Sequence, residues 1–391
     1  MEVVKFGIVG IGNMGSAHAK YISEMSNAVL VAACDIDPKA FDRLPKEGRE
    51  KIRCFTDLDA FLKEGGMDAV IVSIPHYFHP DVAIRAMQAG KHIVVEKPIA
   101  VHKAEALRLI AEGEKHPELV QSMMLNQRTI CAHKKIKQLI DTGALGKITR
   151  VNWIITDWFR TQRYYDSGDW RASWRGEGGG VLLNQCPHQL DLMQWFFGMP
   201  VKVRAAVKLG KYHDIEVEDE VNAYLEYEDG KVGNFIASTG EMPGTNRLEI
   251  SCDMGKIVLE HDQLTFWRNE VNEREFNKTN TASFPSIKNE KITIETPKLE
   301  VGQHDALLED FASAVVCGTP LLSPGVECIN ELTLADAFYY SDWQGQKWID
   351  TAHFDHEAYY RALKDKIEKS TYVKKTVAPA APVDMGASFQ K

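Results

Sequence analysis

The chain has 391 residues, 44% of them hydrophobic and 26% charged, which suits a globular protein of two or three domains. Its formal net charge of −9 argues against nucleic acid and anionic membranes as partners, because both attract a basic protein surface. No apolar run approaches the ~18 residues of a membrane-spanning helix, no secretory signal precedes the first strand, and the seven cysteines form no Cys-x-x-Cys pair, so we expect a cytoplasmic protein without a metal site.

The first third of the chain alternates between strand and helix patterns. Apolar runs typical of buried strands occupy residues 5–10, 29–34, 53–55, 69–74, 92–96 and 119–125. Helices are predicted between them, at residues 18–25, 58–63, 81–89 and 102–112, with Asp57 as the N-cap of the second helix. This alternation predicts a parallel sheet covered by helices on both faces.

The pattern changes near residue 125. Helices are predicted at 134–141 and 180–195, and strands at 148–156, 201–209, 220–227, 232–239, 247–252 and 256–260. Asp229-Gly230 is a hairpin turn signal, and later helices are predicted at 305–316 and 329–340. We therefore expect an α/β protein with three parts: a first domain of residues 1–125, an α/β domain of residues 126–371 with a large open, mainly antiparallel sheet, and an extended tail of residues 372–391.

The motif G-x-G-x-x-G at residues 10–15 joins the first strand to the first helix. Gly10 permits a tight turn, Gly12 lets the backbone approach a pyrophosphate, and Gly15 lets the helix pack on the strand. Asp35 ends the second strand, where a carboxylate accepts hydrogen bonds from the adenosine ribose and repels a 2′-phosphate. The motif in this context predicts a site for NAD rather than NADP; the alternative is a glycine turn with a helix-capping Asp.

A second group of polar residues ends the fifth strand, in the sequence Val95-Glu96-Lys97-Pro98. The carboxyl ends of parallel strands line the ligand crevice of a doubly wound sheet, so we expect Lys97 beside the nicotinamide. Pro98 restricts Lys97 to an extended backbone and permits a cis peptide bond. A solvated Glu-Lys pair at a strand end is the alternative interpretation.

Further along, the glycine run at residues 178–180 leads into a helical pattern that carries Asn184, His188 and Asp191. Their spacing of i, i+4 and i+7 predicts that the three polar side chains share one helix face. A polar face between apolar flanks is typical of a cleft lining, whereas a single histidine in such a place is more often structural.

Together these motifs resemble those of the Gfo/Idh/MocA oxidoreductase family, over residues 4 to about 345. The resemblance rests on the glycine motif, Glu-Lys-Pro at 96–98 and G-G-G-x-L-x-N-Q-x-x-H-x-x-D at 178–191, together with Pro75-x-x-x-His79, Asn126-Gln127-Arg128, Trp170-Arg171 and Trp174. It implies a Rossmann domain followed by an α/β domain whose open sheet often forms the oligomer interface. It therefore implies a homo-oligomer, whether dimer, tetramer or larger.

The resemblance also implies roles for individual residues. His188 is expected to be the general base that takes the proton of a substrate hydroxyl, and Lys97 to stabilise the developing alkoxide. Many members of the family have Asp where Asn184 stands. Since Asn cannot ionise, the chain departs here from a three-residue proton relay, and Asp191 either compensates or only supports its helix.

The segment 158–171 is dense in aromatic and cationic side chains, which suit the apolar faces and hydroxyls of a sugar. An amphipathic loop that covers the sheet is the alternative. The predicted cofactor contacts are Gly10, Ile11, Gly12, Asn13, Met14, Gly15, Asp35, Ser73, Pro75, His76, His79, Glu96, Lys97, Asn126, Trp170 and Arg171. The predicted substrate contacts are Lys97, Asn126, Trp158, Arg160, Arg163, Tyr165, Asn184 and His188.

Three functions are compatible with such a site. The first is NAD-dependent oxidation of a secondary hydroxyl on a sugar, glycoside or cyclitol, for example as a glycoside 3-dehydrogenase. The second is glycosidase-like elimination, in which a resident NAD oxidises the ring transiently and no net NADH is formed. The third is a sensor that binds NAD or sugar without turnover; it ranks last because Lys97 and His188 are both present.

Overall fold

A parallel sheet forms the amino-terminal part of the computed structural model, which describes residues 3–299, 301–375 and 377. Its strands are β1 (Val4–Val9), β2 (Ala28–Cys34), β3 (Arg53–Phe55), β4 (Ala69–Val72), β5 (His92–Val95) and β6 (Gln121–Met123). They lie in the order β3-β2-β1-β4-β5-β6 and pair in parallel. The chain order reverses between β1 and β4, and the carboxyl ends of strands open a ligand crevice at such a point.

Helices connect these strands: α1 (Asn13–Glu24), α2 (Leu58–Glu64), α3 (His79–Gln88) and α4 (Lys103–Gly113). Asp57 caps α2 as predicted, because its side chain accepts a hydrogen bond from the backbone N–H of Ala60 at 2.8 Å. All of β4 is buried, which is typical of a parallel strand with helices over both faces of its sheet. The predicted architecture of this part is confirmed, although β6 covers only the middle of the strand expected at 119–125.

The second sheet is large and mixed. Its strands are β7 (Ile148–Ile155), β8 (Lys202–Leu209), β9 (Glu218–Glu226), β10 (Val232–Ser238), β11 (Asn246–Cys252), β12 (Gly255–Glu260), β13 (Gln263–Asn269), β14 (Asn289–Ile294) and β15 (Ile349–Asp350). They lie in the order β14-β13-β12-β11-β7-β10-β9-β8-β15, and their pairing is antiparallel apart from β7 with β10. Burial alternates along β10, so one face packs on helices and the other is open. The predicted open, mainly antiparallel sheet is confirmed.

The remaining helices are α5 (Cys131–Asp141), α6 (Gln162–Asp166), α7 (Val181–Asn184), α8 (Pro187–Phe197), α9 (Glu273–Thr279), α10 (Gln303–Cys317), α11 (Cys328–Trp343) and α12 (His356–Lys369). The single helix predicted over 180–195 is wrong, because α7 and α8 are separate. Pro187 is the first residue of α8, and a proline has no N–H with which to continue the hydrogen bonds of a preceding helix. Asn184 therefore lies on a different helix from His188 and Asp191, and the predicted common face does not form.

Helix α10 falls within the range predicted for the second domain, yet it packs on the first sheet. Leu307 and Phe311 share a core with Phe6 of β1, and the ring centroids of Phe6 and Phe311 are 5.8 Å apart. A larger core runs from Val72 of β4 to Phe235 of β10. The two sheets are thus joined by continuous apolar packing.

Residues 372–375 and 377 are the described part of the predicted tail, and the rest of that prediction lies outside the described residues. Val377 forms a parallel bridge with Ser167, and its N–H donates to the carbonyl of Asp166 at 3.0 Å. Across the ranges that the structure describes, we find no helix long and apolar enough to cross a membrane.

Candidate active site

The glycine loop between β1 and α1 leaves open space for a ligand. A Cβ atom at Gly10 would lie 2.2 Å from the Ser73 carbonyl oxygen, and one at Gly15 would lie 1.8 Å from the Gly10 carbonyl oxygen. Both glycines are therefore required by the packing of the chain. A Cβ at Gly12 would meet no atom within 4 Å, and no side chain caps the N-terminus of α1 at this residue. Free N–H groups at a helix start next to open space are typical of a phosphate-binding loop, so the loop fits the dinucleotide predicted for it.

Asp35 is tied to this loop. Its carboxylate accepts hydrogen bonds from the N–H groups of Ile11 at 2.7 Å and Asp37 at 2.9 Å. The next residue, Ile36, is 93% exposed, so the edge of the sheet at the ribose position is open to solvent. The Arg43 guanidinium donates to the Ile11 carbonyl at 3.3 Å. No sequence pattern indicated Arg43, because it lies eight residues beyond Asp35 on a 3₁₀ turn (Pro38–Arg43) that has no periodic signature.

Buried contacts fix the corner that carries Lys97. The Lys97–Pro98 peptide bond is cis. His79 lies between two backbone carbonyls, with Nδ1 2.7 Å from Pro98 O and Nε2 2.7 Å from Ile74 O. Both of its ring nitrogens are thus engaged by the backbone, so His79 joins the ends of β4 and β5 rather than presenting a free nitrogen to a cofactor.

Glu96 is likewise engaged, since its Oε1 lies 2.6 Å from His18 Nε2 on α1. Burial acts to raise the pKa of Glu96, but the hydrogen bond and charge of His18, helped by His304 and Lys97, outweigh it and lower the pKa to about 2. The carboxylate is therefore ionised and paired. Its predicted contact with a cofactor would have to be made alongside the contact with His18.

Lys97 and His188 are brought together at the carboxyl edge of the sheet. The Lys97 ammonium donates to the backbone carbonyl of Asn184 at 2.6 Å, which ties β5 to α7. Burial lowers the pKa of Lys97; Glu96 opposes that effect and Arg171 adds to it. Burial also lowers the pKa of His188 to about 3, with contributions from the charges of Lys97 and His304. His188 is therefore a neutral imidazole at physiological pH, as a general base must be.

A buried carboxylate that no sequence motif indicated, that of Glu177, lies beside these residues. Glu177 is 1% exposed, and its oxygens accept hydrogen bonds from the Asn184 side-chain amide and from the N–H of Ala172 at 2.8 Å. Its Oε1 lies 3.8 Å from the Arg171 guanidinium, and its backbone carbonyl lies 3.1 Å from His76 Nδ1. The signal that could have found it is a lone acidic residue directly before the glycine run.

Part of the aromatic segment 158–171 packs around Arg171, close to Glu177 and His76, and the rest of the segment packs elsewhere. Arg171 stacks between Trp170 and Tyr164, with ring centroids 4.4 and 4.5 Å from its guanidinium carbon, and donates to the Tyr164 hydroxyl at 2.7 Å. Trp170 also contacts His76 edge-on at 5.0 Å. Arg160 lies 5.2 Å from the Tyr164 ring.

Two predicted substrate contacts lie elsewhere. Tyr165 is 1% exposed and its hydroxyl is paired with Thr239 at 2.7 Å, so it packs beneath the segment and offers no free hydroxyl to the cleft. Arg163 is exposed on α6. The structure therefore does not support Tyr165 as a substrate contact, whereas the hydroxyl of the adjacent Tyr164 contacts Arg171 and Gln185. Composition cannot tell which of two adjacent side chains a short helix turns outward. Trp158 is partly buried and packs against the main core.

Asp191 has a structural role. Its carboxylate forms a two-pronged pair with the Arg128 guanidinium, at 2.6 and 2.8 Å, and both side chains are 1% exposed. The pair engages both carboxylate oxygens of Asp191, which favours a supporting role in helix α8 over a proton relay from His188. Asn126, in contrast, has a buried Oδ1 without a hydrogen-bond partner, although its amide nitrogen contacts Gln303 at 3.1 Å.

Two family models match the chain. One, described as "Oxidoreductase family, NAD-binding Rossmann fold", matches residues 4–123, and the other, "GFO/IDH/MocA C-terminal domain", matches residues 133–258. Myo-inositol 2-dehydrogenase of Thermotoga maritima is 25% identical over 271 residues, which cover 66% of this chain and 75% of that protein. Levoglucosan dehydrogenase of Pseudarthrobacter phenanthrenivorans is 24% identical over 391 residues, with coverage of 90% and 98%.

The fold is also that of solved structures. The WlbA dehydrogenase from Bordetella pertussis, determined in complex with NADH and UDP-GlcNAcA, superimposes with a TM-score of 0.73 at 24% identity. The match covers 90% of this chain and 99% of that one. The parallel sheet, the mixed sheet and their arrangement are therefore shared with a known dinucleotide enzyme.

Proposed function

Because the chain belongs to the GFO/IDH/MocA oxidoreductase family, we propose that it is an NAD-dependent dehydrogenase that oxidises a secondary hydroxyl of a sugar, glycoside or cyclitol. The observation that carries the proposal is the Lys97 ammonium, held at the carboxyl edge of the parallel sheet by the Asn184 carbonyl, whose charge acts on the buried, neutral His188. Relatives named as inositol and levoglucosan dehydrogenases support the substrate class.

NAD would lie along the carboxyl edge of the first sheet. The N–H groups at the start of α1 would hold its pyrophosphate, and Asp35 its adenosine ribose. Ser73, Pro75, His76, Asn126 and Trp170 would border the nicotinamide half. The Asn126 Oδ1 has no partner in the described structure and can accept a hydrogen bond from a carboxamide. Bound there, NAD supplies the hydride acceptor for the reaction.

Side chains of the protein would accept the proton of the substrate hydroxyl and stabilise its oxygen. His188 would accept the hydroxyl proton, because burial keeps its imidazole neutral. Lys97 would donate a hydrogen bond to the same oxygen and stabilise negative charge as it develops. Arg171, Arg160 and the Tyr164 hydroxyl would contact further hydroxyl groups of the sugar, and Asn184 would accept a hydrogen bond through its amide oxygen.

The proposal also covers the oligomeric state of the protein and its cellular compartment. We propose a cytoplasmic homo-oligomer that forms through the open face of the second sheet. This face is concave and presents Ile154, Tyr224 and Ile236 among polar neighbours. Light scattering of the purified protein would test the assembly.

The decisive experiment follows NADH formation by the purified protein in the presence of NAD and a panel of cyclitols, anhydrosugars and glycosides. We expect NADH to appear in proportion to oxidised product for at least one polyol. Product without net NADH, from protein that copurifies with NAD, would instead establish the elimination reaction. Tight binding of a polyol with no turnover would establish the sensor.

A further inference from the structure

Glu177 occupies an unusual position for an acidic side chain. It lies at the end of a turn in which its N–H donates to the Ser173 carbonyl at 2.9 Å, directly before the glycine run. A Cβ at Gly178 would lie 2.2 Å from the Val101 side chain, so the chain passes too tightly here for a larger residue. The carboxylate is held inside the molecule, where an unpaired charge is costly.

The side chains that contact the Glu177 carboxylate, those of Asn184 and Arg171, belong to the proposed active site. One oxygen receives the Asn184 amide and faces Arg171, and the other receives the Ala172 N–H. The backbone carbonyl of the same Asn184 accepts the hydrogen bond of the Lys97 ammonium. Glu177 therefore fixes the side chain of the residue whose main chain fixes Lys97.

The charged groups around Lys97 also link it to Glu177. Lys97 is surrounded by the cation Arg171, by the acids Glu96, Glu177 and Glu331, and by His76, His79, His188, His304 and Cys186. Glu96 is already paired with His18 at 2.6 Å. Glu177 is thus the acid that faces Lys97 and Arg171 together.

We propose that Glu177 is a positioning residue for the reaction: it orients Asn184, and through it Lys97, and it supplies next to Asn184 the negative charge that an amide at position 184 cannot carry. The proposal rests on the proposed function for its kinetic consequences. Its structural consequence, an effect on the titration of Lys97, does not depend on any substrate.

The first test is Glu177→Gln, which keeps the size of the side chain and removes its charge. The Asn184 amide can rotate to retain a hydrogen bond, so the variant isolates the electrostatic effect. A negative charge favours a protonated lysine, so its removal lowers the pKa of Lys97. We expect the Lys97 titration, followed by NMR of ¹³C-labelled lysine and assigned with Lys97→Met, to move down by about one pH unit. The alkaline limb of kcat/KM is expected to move with it.

The second test is the exchange Glu177→Gln/Asn184→Asp. A Gln at 177 can accept from Ala172 and donate to an Asp at 184, so the pair is rebuilt with the charge on the other partner. We expect the Lys97 titration and the alkaline limb to return toward those of the wild type. Asn184→Asp alone places two carboxylates together, and one of them then takes up a proton.

Glu216→Gln is the matched control. Glu216 caps the same segment by accepting from the Trp174 N–H at 2.9 Å, and it is not among the groups that face Lys97. Its loss should leave the Lys97 titration unchanged. The proposal is overturned if Glu177→Gln leaves that titration in place, or if the exchange does not restore it. Absence of turnover in the wild type would instead contradict the proposed function, and the NMR titration would still decide the role of Glu177.

Discussion

At the scale of single residues, the surroundings of His188 determine how kcat/KM should depend on pH. The unperturbed imidazole pKa is about 6.5, and burial together with Lys97 lowers it here to about 3. His188 therefore stays unprotonated as the pH falls through 6.5, and kcat/KM should show no acid limb at that pH from this group. His188→Gln should lower kcat/KM by about 10²–10⁴-fold, the usual contribution of a general base, with the Kd of NAD preserved.

His133→Gln is a suitable comparison for this measurement. His133 is also buried, its pKa is lowered to about 4 by burial, and its Nδ1 lies 2.8 Å from the Gln127 carbonyl, among the rings of Trp153 and Phe196. Its replacement should reduce stability and leave the pH profile of the folded fraction unchanged. Equal kinetic losses in both variants would contradict a special role for His188.

Asp35 makes a prediction about the choice of cofactor. Asp35→Asn removes the charge that repels a 2′-phosphate, and Arg43 is close by to attract one. We expect the preference for NAD over NADP, measured as the ratio of kcat/KM, to fall by about 10- to 100-fold, the worth of one hydrogen bond to a charged group. Asp37→Asn removes a nearby charge and keeps an oxygen that can cap the Lys39 N–H, so it should change the ratio much less than Asp35→Asn does.

The sequence predicted Lys97 and the glycine loop because each lies at a strand end, and it predicted His188 because the motif that carries it resembles that of an oxidoreductase family. Glu177, Tyr164 and Arg43 escaped for a common reason. Each lies on a short turn or a one-turn helix, and no periodicity describes such elements.

At the scale of elements, the chain after α12 forms a strap across the aromatic segment. The Lys374 ammonium donates to the Tyr165 carbonyl, and the Tyr372 hydroxyl donates to the Asp214 carbonyl at 3.2 Å. With the bridge from Val377 to Ser167, these contacts hold α6 against the loop after β8. The segment that carries Tyr164 is thus fixed from outside by the carboxyl-terminal region.

The strap leads to a prediction about substrate affinity. Lys374→Ala removes one hydrogen bond from α6, and we expect the KM for the sugar to rise by about 2- to 10-fold, the equivalent of roughly 0.5–1.5 kcal/mol. The Kd of NAD should change less than the KM, because the glycine loop and Asp35 lie on the first sheet, away from the strap. Lys369→Ala, which removes only an exposed pair with Asp365, provides the control. A larger loss in NAD affinity than in KM would show that the strap acts elsewhere.

The strands were predicted well, whereas the junction between two consecutive helices was not. The strands of the first sheet follow their apolar runs closely, whereas the helix over 180–195 is broken at Pro187. The apolar spacing continues across that break, so the periodicity alone predicts one continuous helix. The proline was the local evidence against it.

At the scale of the whole molecule, the two sheets depend on each other. The larger core contains residues of both sheets, and α10 returns from the second half of the sequence to cover β1. Amphipathic spacing predicts that α10 has an apolar face but not which sheet that face covers, so this crossing could not be predicted. A continuous core favours unfolding in one cooperative transition.

Tryptophan fluorescence can test this coupling, because all eight tryptophans lie between Trp153 and Trp348, outside the first sheet. NAD at about 100 times its Kd should stabilise the native state by about 2.7 kcal/mol, although its site is on the first sheet. We expect the urea midpoint from fluorescence to rise together with that from circular dichroism. Gly12→Val, whose Cβ would enter the open space of the loop where the pyrophosphate is proposed to bind, should abolish the shift. If NAD raises the urea midpoint measured by circular dichroism but not the one measured by fluorescence, the two sheets unfold independently.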